Sequence, residues 1–251
     1  MGALRLYYRS GAFVTAVDVG QGQCICVFTG DKTVMVDCGS VKDDVNAGKK
    51  AAAYLRSRGR NKVDALILTH LHEDHANGIE LLAESIDIGV IVFSPESGTE
   101  GEMLSEIIKT AEEHGADVFE LYSDSSFKLG SASVSLIPPG SLGGGEACLV
   151  SRISIGDYDI LITGDSDMAA EKILTDKYDM SATELYVVGH HGSRYSSSTK
   201  LLEEMGGHTA IISVGYNTYG HPTDETLERL SACGYNIYRT DVNGNVEIRI
   251  G

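Results

Sequence analysis

Thr69-His70-Leu71-His72-Glu73-Asp74-His75 puts three histidines and an aspartate into six residues, directly behind the run Val63-Asp64-Ala65-Leu66-Ile67-Leu68. A short, mostly apolar run of this kind reads as a buried strand ending at Leu68 that delivers the next residues to the edge of a sheet. His70 and His72, two apart in extended backbone, share one side. Asp74 and His75 follow as the chain turns toward a helix expected near Gly78. Neutral imidazole and carboxylate are the ligands a divalent ion accepts outside thiolate sites, and a catalytic ion needs several that converge while one position stays open. The spacing therefore supplies two ligand pairs and room for two ions. A solvated His-rich loop or one structural metal is the plainer alternative, and four ligand-type side chains behind a buried strand weigh against it. Glu73 reads as an exposed bystander.

Outward from this loop, other apolar runs end in the same chemistry. Leu161-Ile162-Thr163-Gly164-Asp165 ends in a carboxylate, and Val187-Val188-Gly189-His190-His191-Gly192-Ser193 ends in adjacent histidines. Val214 to Pro222 carries His221, and Val17 to Gln23 and Met35 to Gly39 carry Asp18 and Asp37. Ser193, Tyr195 and Ser196-Ser197-Ser198 open a helix, where hydroxyls and backbone N–H groups can receive phosphate oxygens; a Ser N-cap for a helix at Thr199 accounts for them equally well. Asn217 and Tyr219 flank His221 and are read as substrate-orienting, although both are also ordinary turn residues.

THLHEDH carries the HxHxDH pattern and resembles the metallo-β-lactamase superfamily. The ordered strings DVGQGQ, THLHEDH, LITGD, GHHGSRYSSS, VGYNTYGHP and Tyr238-Arg239-Thr240-Asp241 are similar to the metallo-hydrolase domain of DNA-uptake competence proteins of the ComEC type, from roughly Val14 to the C-terminus. The resemblance implies one ion on His70 and His72, a second on Asp74 and His75, and Asp165 bridging them, with Asp18 and Asp37 bracing the site from behind. One departure stands out. Lactamase-like members place another His between the HxHxDH loop and the bridging Asp, whereas here that interval holds only His114, read as a surface residue at a helix end before Gly115. The corresponding segment Glu146-Ala147-Cys148-Leu149-Val150 has no imidazole. The His190-His191 pair is inferred to substitute, His191 completing the first ion's shell and His221 the second, although either member of the pair fits. The other, taken as His190, is then free to donate a proton, so Asp74 and His190 are the expected catalytic groups.

What the resemblance implies is a two-metal hydrolase acting on a phosphodiester, with single-stranded DNA as candidate substrate. The expected ions are two divalent cations, zinc first and manganese tolerated by an O/N-rich site. A redox diiron centre is disfavoured, because such relatives place Glu where this chain has His72. The alternatives are a small-ester hydrolase such as a phosphorylcholine esterase, and a binding module whose metal only stabilises the fold.

Composition bounds these readings. The chain's 251 residues, 42% of them hydrophobic, suffice for one large domain over residues 1–251. Five cysteines without a CxxC pair argue against a disulfide framework or thiolate zinc site, and Cys24 and Cys26 alternate as core strand residues. No run approaches about 18 uninterrupted apolar residues, and no cleavable signal pattern precedes Leu4. The reading is a chain without a membrane segment, soluble as given, though the start Met1-Gly2-Ala3 fits equally a fragment of a longer membrane protein. The net charge of −16 argues against strong non-specific duplex DNA binding, which needs Lys and Arg along a phosphate track. Two divalent ions add about four positive charges, enough for one phosphodiester but not for a long track.

Periodicity and turn residues predict strands over residues 12–18, 24–29, 33–37, 63–68, 90–93, 134–137, 149–155, 158–162, 184–188 and 210–214, and near Tyr238 and 246–250. Helices are expected over 47–58, 79–84, 102–114, 169–175, 198–204 and 223–232. Two β-rich halves, each followed by helices, predict an α/β fold, a four-layer αβ/βα sandwich of two mixed β-sheets with helices outside.

Overall fold

The computed structural model describes residues 11–41, 46–97, 101–143 and 147–251. Leu4, the opening Met1-Gly2-Ala3 and Glu146 lie outside the described residues. The first seven-stranded sheet is built from β1 (Ala12–Ala16), β2 (Ile25–Thr29), β3 (Lys32–Val36), β4 (Lys62–Ile67), β5 (Asp87–Phe93), β6 (Asp117–Glu120) and the C-terminal β14 (Val246–Ile250). The second, also of seven strands, contains β7 (Ser125–Leu129), β8 (Ala132–Ile137), β9 (Val150–Ile155), β10 (Tyr158–Ile162), β11 (Thr183–Val187), β12 (Thr209–Ile212) and β13 (Asn236–Arg239). The orders are β14-β1-β2-β3-β4-β5-β6 and β13-β12-β11-β10-β9-β8-β7. Each sheet is antiparallel on one side and parallel on the other: β3 through β6 run parallel, as do β10 through β13.

Alternation along the strands explains the layering. Val34 and Val36 of β3, Ile160 and Ile162 of β10, and Leu185 and Val187 of β11 point into the core between the sheets. Met35 instead joins the helices Ala47–Ser57, Ile79–Ala83 and Glu102–His114 on the outer face of the first sheet, through Ala51, Leu55, Leu82 and Ile107. Leu161 and Tyr186 join Leu174, Leu201 and Leu230 on the outer face of the second sheet, from the helices Met168–Lys177, Thr199–Glu204 and Asp224–Ala232. A strand with apolar residues on both faces must be covered on both, and here one face meets the other sheet and the other meets helices. The result is the expected four-layer sandwich. Cys24, Cys26 and Cys38 are fully buried in the first outer core, which agrees with a packing role.

Helix starts follow local capping chemistry. Asn46, Asp167, Ser198 and Thr223 each accept a backbone N–H of the first turn through their side chains. The Ser N-cap at Ser198 is thus realised. The structure adds elements that the pattern did not reveal. The edge strands β6 and β7 are short and largely exposed, so they lack the apolar alternation that marks a strand. A single helical turn, Glu73–Ala76, precedes the helix that begins at Ile79, and it carries the loop's last ligands.

β3, β4, β10, β11 and β12 all end at one edge of the sandwich. Parallel neighbours place their carboxyl ends together, and that is where ligands collect in α/β sheets. Val36, Ile67, Ile162, Val187 and Ile212 close these strands just before Asp37, His70, Asp165, His190 and the 214–222 loop.

Candidate metal centre

Asp37 is the buried anchor. Its Oδ1 accepts the backbone N–H of Thr69 at 2.8 Å. Its Oδ2 accepts Thr69 Oγ1, Gln23 Nε2 and His75 Nδ1, each at 2.7 Å. Nδ1 of His75 is the donor in that contact, so in the neutral ring Nε2 is the unprotonated nitrogen, and it faces inward. His191 is fixed in the same way, its Nδ1 giving its proton to the Ser213 carbonyl at 2.7 Å. Thr69 Oγ1 spends its own proton on Asp37, so it accepts from His70 Nδ1 at 3.1 Å and frees His70 Nε2 as well.

The freed atoms converge on Asp165. His75 Nε2 lies 3.2 Å from Asp165 Oδ1, and His191 Nε2 lies 4.0 Å from that oxygen and 3.3 Å from Asp74 Oδ2. On the other carboxylate oxygen, Oδ2, His190 Nε2 stands at 3.5 Å and His70 Nε2 at 3.8 Å. His72 Nδ1 is 3.1 Å from His70 Nε2. Two sets of ligand atoms lie close enough for one ion each: Asp74, His75, Asp165 and His191 form one, and His70, His72 and Asp74 the other. His75 Nε2, Asp165 Oδ1 and His191 Nε2 are buried without a hydrogen-bond partner. Burying a polar atom unpaired costs about 1–3 kcal/mol, and three that face one another are what a cation would satisfy. The donor set therefore fits divalent ions.

Charge follows the same geometry. Burial alone would raise Asp165, but the imidazoles of His75, His191 and His70 outweigh it and hold the carboxyl well below the usual range. Asp74 is likewise depressed, burial being outweighed by His191 and His75. His75 is buried, which opposes its charge, yet Asp165 and Asp37 raise it well above an ordinary imidazole; His191 is raised too, against burial, by Asp74 and Asp165. His70 and His221 are lowered, each chiefly by burial.

The grouping differs from the sequence reading at His191 and at His221. His191 lies on the Asp74/His75 side and not with His70 and His72, while His190 faces the outer oxygen of Asp165. The cause is local: His190 and His191 both adopt positive φ, 52° and 53°, which sends neighbouring side chains to different faces of the cluster. His221 stands outside both ligand sets, its ring 5.5 Å from that of His190, at the wall of the cavity. Asp18 is not brought to the cluster. Its Oδ1 accepts the N–H of Gly20 at 3.1 Å, and its carboxylate sits beside Lys50. Cys148 is buried outside both sets, its thiol pushed up by burial and by Asp165. His114 is an exposed residue closing its helix before left-handed Gly115. Asn217 is spent on its own loop: Oδ1 accepts the N–H groups of Tyr219, Gly220 and His221, and Nδ2 donates to Gly215 O, His221 O and Gln21 Oε1.

Two residues escaped the sequence reading. Gln23 holds Asp37, and Gln21 pins the 215–221 loop through Oε1. Their signal was the alternation Gln21-Gly22-Gln23 behind a buried strand, polar where a core would be apolar. Close backbone approach completes the frame: a Cβ on Gly39 would sit 2.4 Å from both Glu73 O and His75 N, so only glycine lets the β3 end pack against the ligand turn. A cavity of about 570 Å³ opens over the cluster, lined in part by Ser193, Tyr195, Tyr219 and the exposed Glu73.

The chain is similar to known proteins. The family profile described as the metallo-beta-lactamase superfamily matches residues 17–216. Competence protein ComA of Neisseria gonorrhoeae is 30% identical over 242 residues, 96% of this chain and 32% of that protein. ComE operon protein 3 of Bacillus subtilis (strain 168) is 25% identical over 254 residues, 94% of this chain and 33% of that protein. The chain thus spans about a third of the length of the curated relatives it matches. Among solved structures, the metallo-beta-lactamase fold protein YhfI from Bacillus subtilis superposes with a TM-score of 0.65 at 15% identity, covering 96% of this chain and 100% of that one.

Proposed function

The chain belongs to the metallo-beta-lactamase superfamily, and from that membership and the geometry of its cluster we propose that it is a two-metal hydrolase cleaving phosphodiesters. Competence relatives favour a DNA strand as the substrate, and the acidity of the chain favours a single strand over a long duplex. No helix of the described residues is long and apolar enough to cross a membrane; relatives three times as long make a part in a larger assembly the natural setting.

The observation that carries the reading is the convergence of buried, unpartnered His75 Nε2, Asp165 Oδ1 and His191 Nε2, with the opposite ring nitrogens already committed. Asp74, His75, Asp165 and His191 would hold one ion, and His70 and His72, together with Asp74, the other. Bound there, divalent ions supply Lewis acidity at the ester and a water acidic enough to attack it near neutral pH, and zinc or manganese suits the donor set. The chain's own groups do the rest. Asp37 and Thr69 keep His75 and His70 in the tautomer that presents Nε2. His190, whose side chain is 36% exposed at the cavity, is assigned to pass a proton to a leaving oxygen. Ser193 lines the same cavity and is assigned to orient the substrate.

Elemental analysis of metal per chain, with hydrolysis of bis-p-nitrophenyl phosphate and single-stranded DNA with and without Mn2+ or Zn2+, tests this. Two ions and metal-dependent cleavage support it. One ion or none, with no turnover, leaves a metal-stabilised binding module.

A further inference from the structure

Two exposed aromatic rings line the cavity, and a third stands exposed on the loop that carries one of them. Tyr195 is 69% exposed and Tyr219 64%, and both line the cavity; Tyr216, on the same loop as Tyr219, is 75% exposed. Rings of that size bury a large apolar area when a ligand covers them. Here the backbone beneath them is rigid. Asn217 ties the N–H groups of Tyr219, Gly220 and His221 to one oxygen. Around Tyr195, its carbonyl accepts from Met168 N at 2.9 Å, and Arg229 binds the carbonyls of Arg194 and Ser196 on either side. Rings held out on fixed backbone pay little ordering cost when a ligand stacks on them.

The rings also lead inward. Tyr219 lies 6.0 Å from His221 and His221 5.5 Å from His190, centroid to centroid, and His190 Nε2 is 3.5 Å from Asp165. Beyond the one phosphodiester that bound ions would serve, side-chain charge at the cavity offers little grip on a longer strand. Among the described residues no Lys or Arg lines the cavity, Glu73, Asp74 and Asp165 do, and the chain carries −16 overall. The nucleotides flanking that one phosphodiester need a hold that does not depend on phosphate neutralisation, and base stacking on aromatic rings provides one that tolerates any sequence.

We propose that Tyr195, Tyr216 and Tyr219 form a stacking rim for unpaired nucleobases flanking the bond to be cleaved, so that the site takes single strands by their ring faces. The nature of that bond rests on the phosphodiesterase reading above. A duplex, whose bases are stacked on one another, presents no free faces to such a rim.

The chain has 12 tyrosines and no tryptophan, so its intrinsic emission reports tyrosine alone. The test titrates the metal-supplemented protein with a short thymidine strand carrying uncleavable, uncharged methylphosphonate links, and with an abasic strand of the same links and length. The base-bearing strand should quench emission and bind more tightly than the abasic one. Tyr219→Ala should weaken it by about fivefold or more, Tyr216→Ala or Tyr195→Ala similarly, and Tyr219→Phe should retain binding. Unfolding midpoints and circular dichroism of the variants separate loss of ring from loss of fold. Equal affinity for both strands, or wild-type affinity in all three alanine variants, overturns the rim. Base-dependent binding without cleavage of ordinary single-stranded DNA supports the rim and removes the hydrolysis reading instead.

Discussion

His75 Nδ1 lies 2.7 Å from Asp37 Oδ2 with both side chains wholly buried, and this contact decides which ring nitrogen meets Asp165. Asp37→Asn can present an amide N–H to His75 in place of an acceptor, releasing the ring to turn or change tautomer. Metal affinity should fall by about 10–100-fold. Competition titration against a chromophoric chelator measures it, and unchanged affinity would remove Asp37 from the bracing role.

Asp74 belongs to both ligand sets, and Asp165, a member of one, also turns its second oxygen toward His70 and His190. Asp165→Ala should therefore lose both ions and all hydrolysis, while His114→Ala, far from the cluster on an exposed helix end, should change neither. Elemental analysis of the two purified variants decides the matter; full metal content in Asp165→Ala would sink the bridging assignment.

Gly39→Ala tests the close packing under the ligand turn. The added Cβ would stand 2.4 Å from backbone atoms of Glu73 and His75, which cannot rotate out of the way as a side chain could. The expected cost is about 1–3 kcal/mol, together with weaker metal binding because the displaced turn carries Asp74 and His75. Urea unfolding reports the first and chelator competition the second; a wild-type midpoint would mean that the turn yields without penalty.

Glu171 supplies a pH signature away from the metal ligands. Its carboxylate, 1% exposed, accepts the backbone N–H groups of Ser197 and Ser198 and so holds the loop behind His191. Burial raises its pKa above the ordinary 4.5, against the lowering by those N–H groups and Arg229. An acid with a raised folded pKa holds its proton more tightly folded than unfolded. Its contribution is complete below pH about 4.5 and is lost as pH climbs through the folded value. The stability advantage of wild type over Glu171→Gln should shrink as pH rises above about 4.5 in urea titrations; an advantage that stays constant or grows contradicts the shift.

Much of this was legible in the chain. Val34, Val36, Ile160 and Ile162 alternate with outward-facing partners, so strand identity and the two-sheet architecture follow from period alone. THLHEDH named its ligands because local backbone brings His70 and His72 together. β6 and β7 were not legible, since an exposed edge strand is held by its neighbour and not by a buried face. Asp18 and Asp37 looked alike as acids after apolar runs; they separate only because Asp37 meets Gln23, Thr69 and His75, while Asp18 meets Gly20 and Lys50.

The sequence by itself determined the kinds of ligand, their order along the chain and the strands that deliver them, because periodicity and spacing are properties of neighbouring residues. Tertiary structure alone decided that His191 joins Asp74 and His75, that His190 turns to the other oxygen of Asp165, and that Asn217 is consumed by its own loop. A side chain beyond a strand end points wherever its turn directs it, and these turns are set by contacts such as Ser213 O with His191 and Gln21 with Asn217, supplied by segments distant in the chain.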